Sequence, residues 1–179
     1  MSWSKRWTRP DVQHYDFRPL TGSDMKLLAR WLAEPHVATW WGDKDGELET
    51  IAGHVDSISV EPFIVELDGR PLGYIQSYDP HLEEGGNTYA DQPFGTLGID
   101  QFIGEPDLIG KGHGTRLLSD FVAMLLEEGA LRVIVDPDPA NAAAIRCYEK
   151  VGFRPIGRRQ TEQGEVCLMA IDAEEEGGA

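Results

Sequence analysis

The chain has 179 residues, with 41% hydrophobic and 26% charged side chains, which is the usage of an ordinary single-domain globular protein. A chain this long buries roughly 70% of its unfolded surface, so it builds a core without covalent staples. Its 31 acidic against 16 basic residues give a net charge of −15. That excludes the basic face that nucleic-acid binding requires, and it sets up a field that draws in cations. No apolar run reaches the ~18 residues of a membrane helix. The opening MSWSKRWTRPDVQHYDF is basic but carries no apolar stretch behind it, so neither a signal peptide nor a membrane partner is expected, and the cytoplasm is the expected location. Cys147 and Cys167 have no CxxC partner, and the five histidines never pair at ligand spacing on a helix. Reduced thiols and no metal are expected.

Residues 1–14 read as a flexible arm, and 173–179, ending in EEEGGA, as a disordered acidic tail. Between them lies the expected domain, 15–172. Tyr15–Leu20 alternates as a short strand. Thr21–Asp24 offers caps for MKLLARWLA, a helix expected to end before Pro35. Leu48–Ser57 reads as a second short helix. Phe63–Leu67 and Leu72–Tyr78 flank Asp68–Gly69, a hairpin turn signal. Asp79–Pro93 is acidic and without period, a long loop of the kind that often carries function. Gly95–Ile103 (GTLGIDQFI) is a further strand.

After Gly104–Asp107 comes IGKGHGT at Ile109–Thr115, and then a helix whose Leu117, Leu118, Phe121, Val122, Leu125 and Leu126 share one face, with Gly129 as its stop. Arg132–Val135 (RVIV) is a short buried strand, Asp136–Ala140 (DPDPA) a rigid turn, and Asn141–Val151 a helix with Gly152 just beyond it. Arg154–Arg158 and Val166–Ile171 close the chain as strands around a turn at Thr161–Gly164. The order is that of a mixed sheet with helices on its faces.

Gly110, Gly112 and Gly114 lie between a strand and a long helix. Unpaired N–H groups and the positive end of the helix dipole meet there, and glycines let an anion approach the backbone. The spacing is G-x-G-x-G, which is neither the dinucleotide fingerprint nor the P-loop. Taken alone, the loop fits an anion site or a tight turn with no ligand. Lys111 and Arg116 are candidates to assist with phosphates.

IGKGHGT followed by NAAAIRCYEKVGF (Asn141–Phe153) resembles the two CoA-binding motifs of the GNAT acetyltransferase superfamily. That resemblance implies the GNAT fold: an α/β (α+β) mixed, mostly antiparallel sheet, splayed at two parting parallel strands, with helices on both faces. It implies acetyl-CoA as donor, with no metal. The pantetheine arm would lie along Gln101, Phe102 and Ile103, and the pyrophosphate on Ile109, Gly110, Lys111, Gly112, His113, Gly114 and Thr115. Asn141 and Ala144 would complete the cofactor site. The superfamily's loop usually opens with Arg or Gln where this chain has Asp107.

The likeness extends further. WWG at Trp40–Gly42, GRPLGYIQSY at Gly69–Tyr78, GID at Gly98–Asp100 and DPDPANAAAIRCYEKVGF at Asp136–Phe153 resemble the aminoglycoside 6′-N-acetyltransferases. An ammonium must lose a proton before it attacks a thioester, and Asp100 matches the family's acidic catalytic position. Tyr148, beside the thioester sulfur by resemblance, is the expected acid for the leaving thiolate. Cys147 lies about 100° away from it on the helix and takes no nucleophilic role. Asp100 and Asp136, with Trp40, Trp41, Tyr74 and Tyr78, are the expected contacts of a cationic small-molecule amine. Asp79, Glu83, Glu84 and Asp91 are further carboxylates within reach of a polyamine. A monomer or homodimer is expected.

A neighbouring group, the siderophore-type N-acyltransferases, resembles the chain through DPD…NxxAIRxYEKxGF but usually carries His at the GID position. Asp100 therefore favours a strongly cationic acceptor. A protein N-terminal acetyltransferase and a CoA-binding module without activity are the remaining alternatives.

Overall fold

The computed structural model describes residues 13–174. Residues 1–12 of the expected arm and 175–179 of the expected tail lie outside them. The described chain forms a seven-stranded sheet in the order β1-β2-β3-β4-β5-β7-β6. Its strands are β1 (Tyr15–Pro19), β2 (Val60–Leu67), β3 (Arg70–Tyr78), β4 (Thr96–Ile103), β5 (Arg132–Val135), β6 (Arg154–Thr161) and β7 (Gly164–Asp172). The helices are α1 (Met25–Leu32), α2 (Pro35–Trp41), α3 (Lys44–Gly53), α4 (His113–Glu127) and α5 (Ala142–Val151). β1 and β2 are antiparallel, as are β5 with β7 and β6 with β7. β4 and β5 run parallel. This is the expected mixed, mostly antiparallel sheet.

The chain divides into two compact units, and β3 and β4 each contribute to both. The first comprises residues 13–76 with Gln101–His113. Leu28, Trp31 and Leu32 recur at helical spacing on α1 and bury completely or nearly so, with Val37, Ile51, Ile64, Tyr74 and Phe102. Asp24 closes the start of α1. Its carboxylate accepts from the Thr21 backbone N–H at 2.9 Å and from both terminal nitrogens of Arg18. Arg18 holds the Asp24 carboxyl below its ordinary range.

The sequence pattern ends the first helix at Pro35 and offers nothing until Leu48. Instead Pro35 is the first residue of α2. A proline's missing N–H costs nothing in a helix's first turn, so the residue that stops one helix starts the next. Asp43 then caps α3 through the Gly46 N–H at 2.8 Å, so that helix begins at Lys44 and ends at Gly53 rather than Ser57.

The second unit comprises Ser77–Asp100 with residues 114–174. Its centre is β5, every residue of which after Arg132 is buried, as the RVIV run predicts. Leu117, Leu118, Phe121, Val122 and Leu125 give α4 its buried stripe. A second cluster joins Tyr89, Ile134, Leu168 and Ala170, with Tyr78 against it. The long loop 79–95 has no helix or strand but is held in place. His81 Nε2 donates to the Gln92 carbonyl at 3.0 Å, and the His81 and Phe94 rings lie 4.5 Å apart. Arg132 reaches Gln92 at 3.3 Å, and Arg159 pairs with Asp91 at 2.6 Å.

Candidate active site

β4 and β5 pair over three positions only: Thr96 with Arg132, Leu97 with Val133 and Gly98 with Ile134. β4 continues five residues past Gly98, whereas β5 ends at Val135. Asp100 stands on the part of β4 that runs beyond its pairing with β5, and Asp136 directly follows β5. The parallel register thus brings two carboxylates from distant parts of the sequence onto neighbouring strands where their pairing stops.

The electrostatics show what that placement costs. The Asp136 carboxyl is pushed up to about 7, first by burial and then by the charge of Asp100. The Tyr89 hydroxyl opposes this by donating to Asp136 Oδ2 at 2.6 Å. Tyr78 also faces the pair, and burial followed by the charges of Asp100 and Asp136 drives its phenol well above its ordinary range. The Tyr78 ring lies across Gly98, where any Cβ would collide with it. The glycine of GID is therefore required by the tyrosine beneath it. Tyr89 was not among the residues singled out from sequence, because nothing in its neighbourhood has a period. The only available signal was the length of the loop that carries it.

Three of the other candidate carboxylates are occupied locally. Asp79 accepts the His81 N–H at 2.8 Å, Glu83 accepts from the Asn87 amide, and Asp91 is held below its ordinary range by Arg159. Glu84 is exposed.

The glycine loop begins after a 3₁₀ turn at Pro106–Leu108. Gly110 and Gly112 have φ of +72° and +81°, which side-chain-bearing residues rarely adopt, and a Cβ on either would meet no atom within 4 Å. Open backbone thus faces outward where α4 starts, which suits a phosphate group. Ile109 is partly exposed, whereas His113 is buried and hydrogen-bonds Tyr15 through Nδ1 at 2.7 Å. His113 therefore offers an anion only its backbone. Asp107, the departure from the family pattern, forms a two-point ion pair with Arg70 at 2.9 and 3.1 Å.

Thr115 Oγ1 lies 3.5 Å from Cys147 Sγ, which ties the start of α4 to α5. Burial raises the Cys147 thiol, opposite to what an activated nucleophile needs. Asn141 caps α5 by accepting the Ala144 N–H at 3.1 Å. Tyr148 is buried on α5, with its ring edge-on to Phe153 at 5.8 Å. Of the β4 residues expected along a pantetheine arm, Ile103 already uses its carbonyl to accept from His36 Nε2 at 2.8 Å. Phe102 turns its ring into the core of the first unit. Gln101 has a buried Oε1 with no hydrogen-bond partner among the described residues, a state that a ligand amide would relieve.

The aromatic residues separate. Trp40 is 45% exposed. Trp41 packs edge-on against Tyr74 at 6.0 Å and Phe102 at 4.9 Å. Tyr74 is wholly buried and donates to Gln76 Oε1, so its side chain belongs to the core of the first unit. Among the described residues, no group of three or more His, Cys, Asp or Glu side chains is placed to hold a metal ion, and no helix is long and apolar enough to cross a membrane.

A parted parallel strand pair, a glycine loop at a helix start and a capped helix carrying a buried tyrosine form the architecture of a CoA-type acyltransferase. The profile of the acetyltransferase (GNAT) domain matches residues 21–161, and the chain belongs to that family. It is 35% identical over 161 residues to the aminoglycoside N(6′)-acetyltransferase type 1 of Klebsiella pneumoniae, covering 85% of this chain and 80% of that one. It is 30% identical over 179 residues to the lysine N-acyltransferase MbtK of Mycolicibacterium paratuberculosis, covering 94% and 80%. Among solved structures, AAC(6′)-Ib in complex with paromomycin and acetyl-CoA superposes with a TM-score of 0.81 at 33% identity, over 92% of this chain and 98% of that one.

Proposed function

We propose that this enzyme moves an acetyl group from acetyl-CoA to a primary amine of a cationic aminosugar, most simply the 6′-amine of an aminoglycoside. The observation that carries the reading is the carboxylate pair Asp100–Asp136 at the parted strand ends. Two acids held together at a cost in free energy make a site for ammonium groups. The similarity to proteins named as aminoglycoside N(6′)-acetyltransferases supports the choice of acceptor.

The chain's residues fit the cofactor. Gly110, Gly112 and the N–H groups at the start of α4 would hold its pyrophosphate, with Lys111, Gly114 and Thr115 alongside. Gln101 and the β4 backbone beyond its pairing with β5 would receive the amides of the arm, and Asn141 and Ala144 are the remaining cofactor contacts of this reading. Bound there, acetyl-CoA supplies the thioester carbon that the amine attacks. Asp100 orients the ammonium and accepts its proton, directly or through a water. Tyr148 protonates the departing sulfur. A phenol and an alkyl thiol have similar acidities, so that transfer is close to balanced. Asp136 holds a second positive charge of the acceptor, and Trp40 offers an exposed apolar surface for a sugar ring.

The test is acetyl-CoA turnover with kanamycin, followed by free thiol release. Asp100→Ala is expected to lower turnover by about 10²-fold or more. A wild-type rate in that variant would remove Asp100 from the chemistry. The 30% identity to MbtK keeps one further reading in view, acylation of a lysine-like side chain. Turnover of a lysine-type amine in preference to kanamycin would establish it.

A further inference from the structure

The loop 79–95 carries Tyr89 to the active-site carboxylates. Tyr89 is 4% exposed, and its ring packs with Ile134, Leu168 and Ala170, a rigid seat made by two strands. Its backbone N–H is also fixed, donating to Asn87 Oδ1 at 2.8 Å. From that seat the hydroxyl donates to a single atom, Asp136 Oδ2, at 2.6 Å.

We propose that Tyr89 is a positioning residue for acceptor recognition, holding Asp136 so that its carboxylate faces the incoming ammonium. The proposal rests on the reading in which Asp136 receives a cationic amine. The physical case is simple. A carboxylate beside another carboxylate readily takes up a proton and turns away, and a fixed phenol donor opposes both. The groups facing Asp136 and Tyr89 are Asp100 on β4, Tyr78 on β3 and Arg159 on β6, while Glu83 on the loop acts on Tyr78. Asp100 works against ionisation of Asp136, whereas the Tyr89 bond favours it. Arg159 is one step removed. It pairs with Asp91 of the same loop and acts on Tyr89. The loop, anchored by Arg159 at Asp91 and by Arg132 at Gln92, therefore sets how the acceptor site is charged.

The sign follows from the bond. Removing the hydroxyl removes a donor to the charged form, so the Asp136 carboxyl rises further. A hydrogen bond to a charged acceptor corresponds to about one to two pH units of such a rise.

The experiment compares Tyr89→Phe with the wild type and with Asp136→Asn, measuring kcat/KM and kcat for kanamycin from pH 6 to pH 9 with saturating acetyl-CoA. Phe keeps the ring and its packing, and a thermal melt of each variant confirms the fold. The proposal expects the rise of kcat/KM with pH to move up by about one unit in Tyr89→Phe, a loss of about fivefold near pH 7 that shrinks by pH 9, with KM changing more than kcat. Asp136→Asn is expected to lose that rise. If Tyr89→Phe superposes on the wild-type profile while Asp136→Asn loses the rise, the positioning role is overturned and Asp136 stands. If Asp136→Asn keeps the wild-type profile, the carboxylate reading itself falls, and the proposal with it.

Discussion

Asp136→Asn keeps the size of the side chain and an oxygen to accept from Tyr89, but removes the charge facing Asp100. It should make the protein more stable at alkaline pH. The folded protein pushes the Asp136 carboxyl from its ordinary 3.8 up to about 7, so it binds that proton more tightly than the unfolded chain does. The contribution of Asp136 to stability is therefore fullest below pH 4 and is lost as pH rises through about 7. Asparagine does not titrate, so the advantage of the variant should grow across that window. At ~1.4 kcal/mol per pH unit the ceiling is about 4 kcal/mol, and water access to the strand ends brings the expected gain to about 2 kcal/mol. For a domain of this size that is a rise in Tm of about 4–8 °C at pH 8, falling to little at pH 4.5. Urea and thermal unfolding of both proteins at the two pH values test it. An equal difference at both, or a wild type that is more stable at pH 8, would refute the claim that burial and Asp100 strain this carboxyl. A confirmed gain would identify an acid kept for substrate at the expense of stability.

Two further substitutions probe neighbouring groups. Tyr148→Phe should lower kcat by about 10²-fold while leaving CoA affinity, measured by calorimetry, within a few-fold; loss of cofactor binding instead would assign the phenol to positioning. Gly98→Ala places a methyl against the Tyr78 ring and should destabilise the protein by about 1–3 kcal/mol in urea unfolding. A wild-type midpoint in that variant would show that the ring moves aside freely.

Much of the fold was legible because the signals are local. The stripe from Leu117 to Leu125, the RVIV strand, and the Asp68–Gly69 turn, where φ is +49° and +83°, each depend on residues within one or two turns of each other. α1 does end before Pro35, but the helix that Pro35 starts was missed, because proline stops and starts helices by the same missing N–H and the packing of Val37 and Trp41 on the first unit's core selects the second role. Trp41 and Tyr74 carry the same ambiguity: an aromatic side chain suits a sugar ring or a core equally, and the structure packs these two together.

The candidate site divides along the same line. Sequence alone determined that open glycine backbone precedes a long helix, that a capped helix follows a short buried strand, and that one acid lies within a strand and another directly follows one. These are properties of contiguous segments, whose geometry follows from backbone sterics and side-chain period. Tertiary structure decided that Asp100 and Asp136 confront each other, that Tyr89 reaches Asp136 from an aperiodic loop, and that Arg70 takes Asp107. Each of these joins residues more than thirty positions apart. The energy of such a pair depends on burial and distance, and neither exists until the strands have found their register.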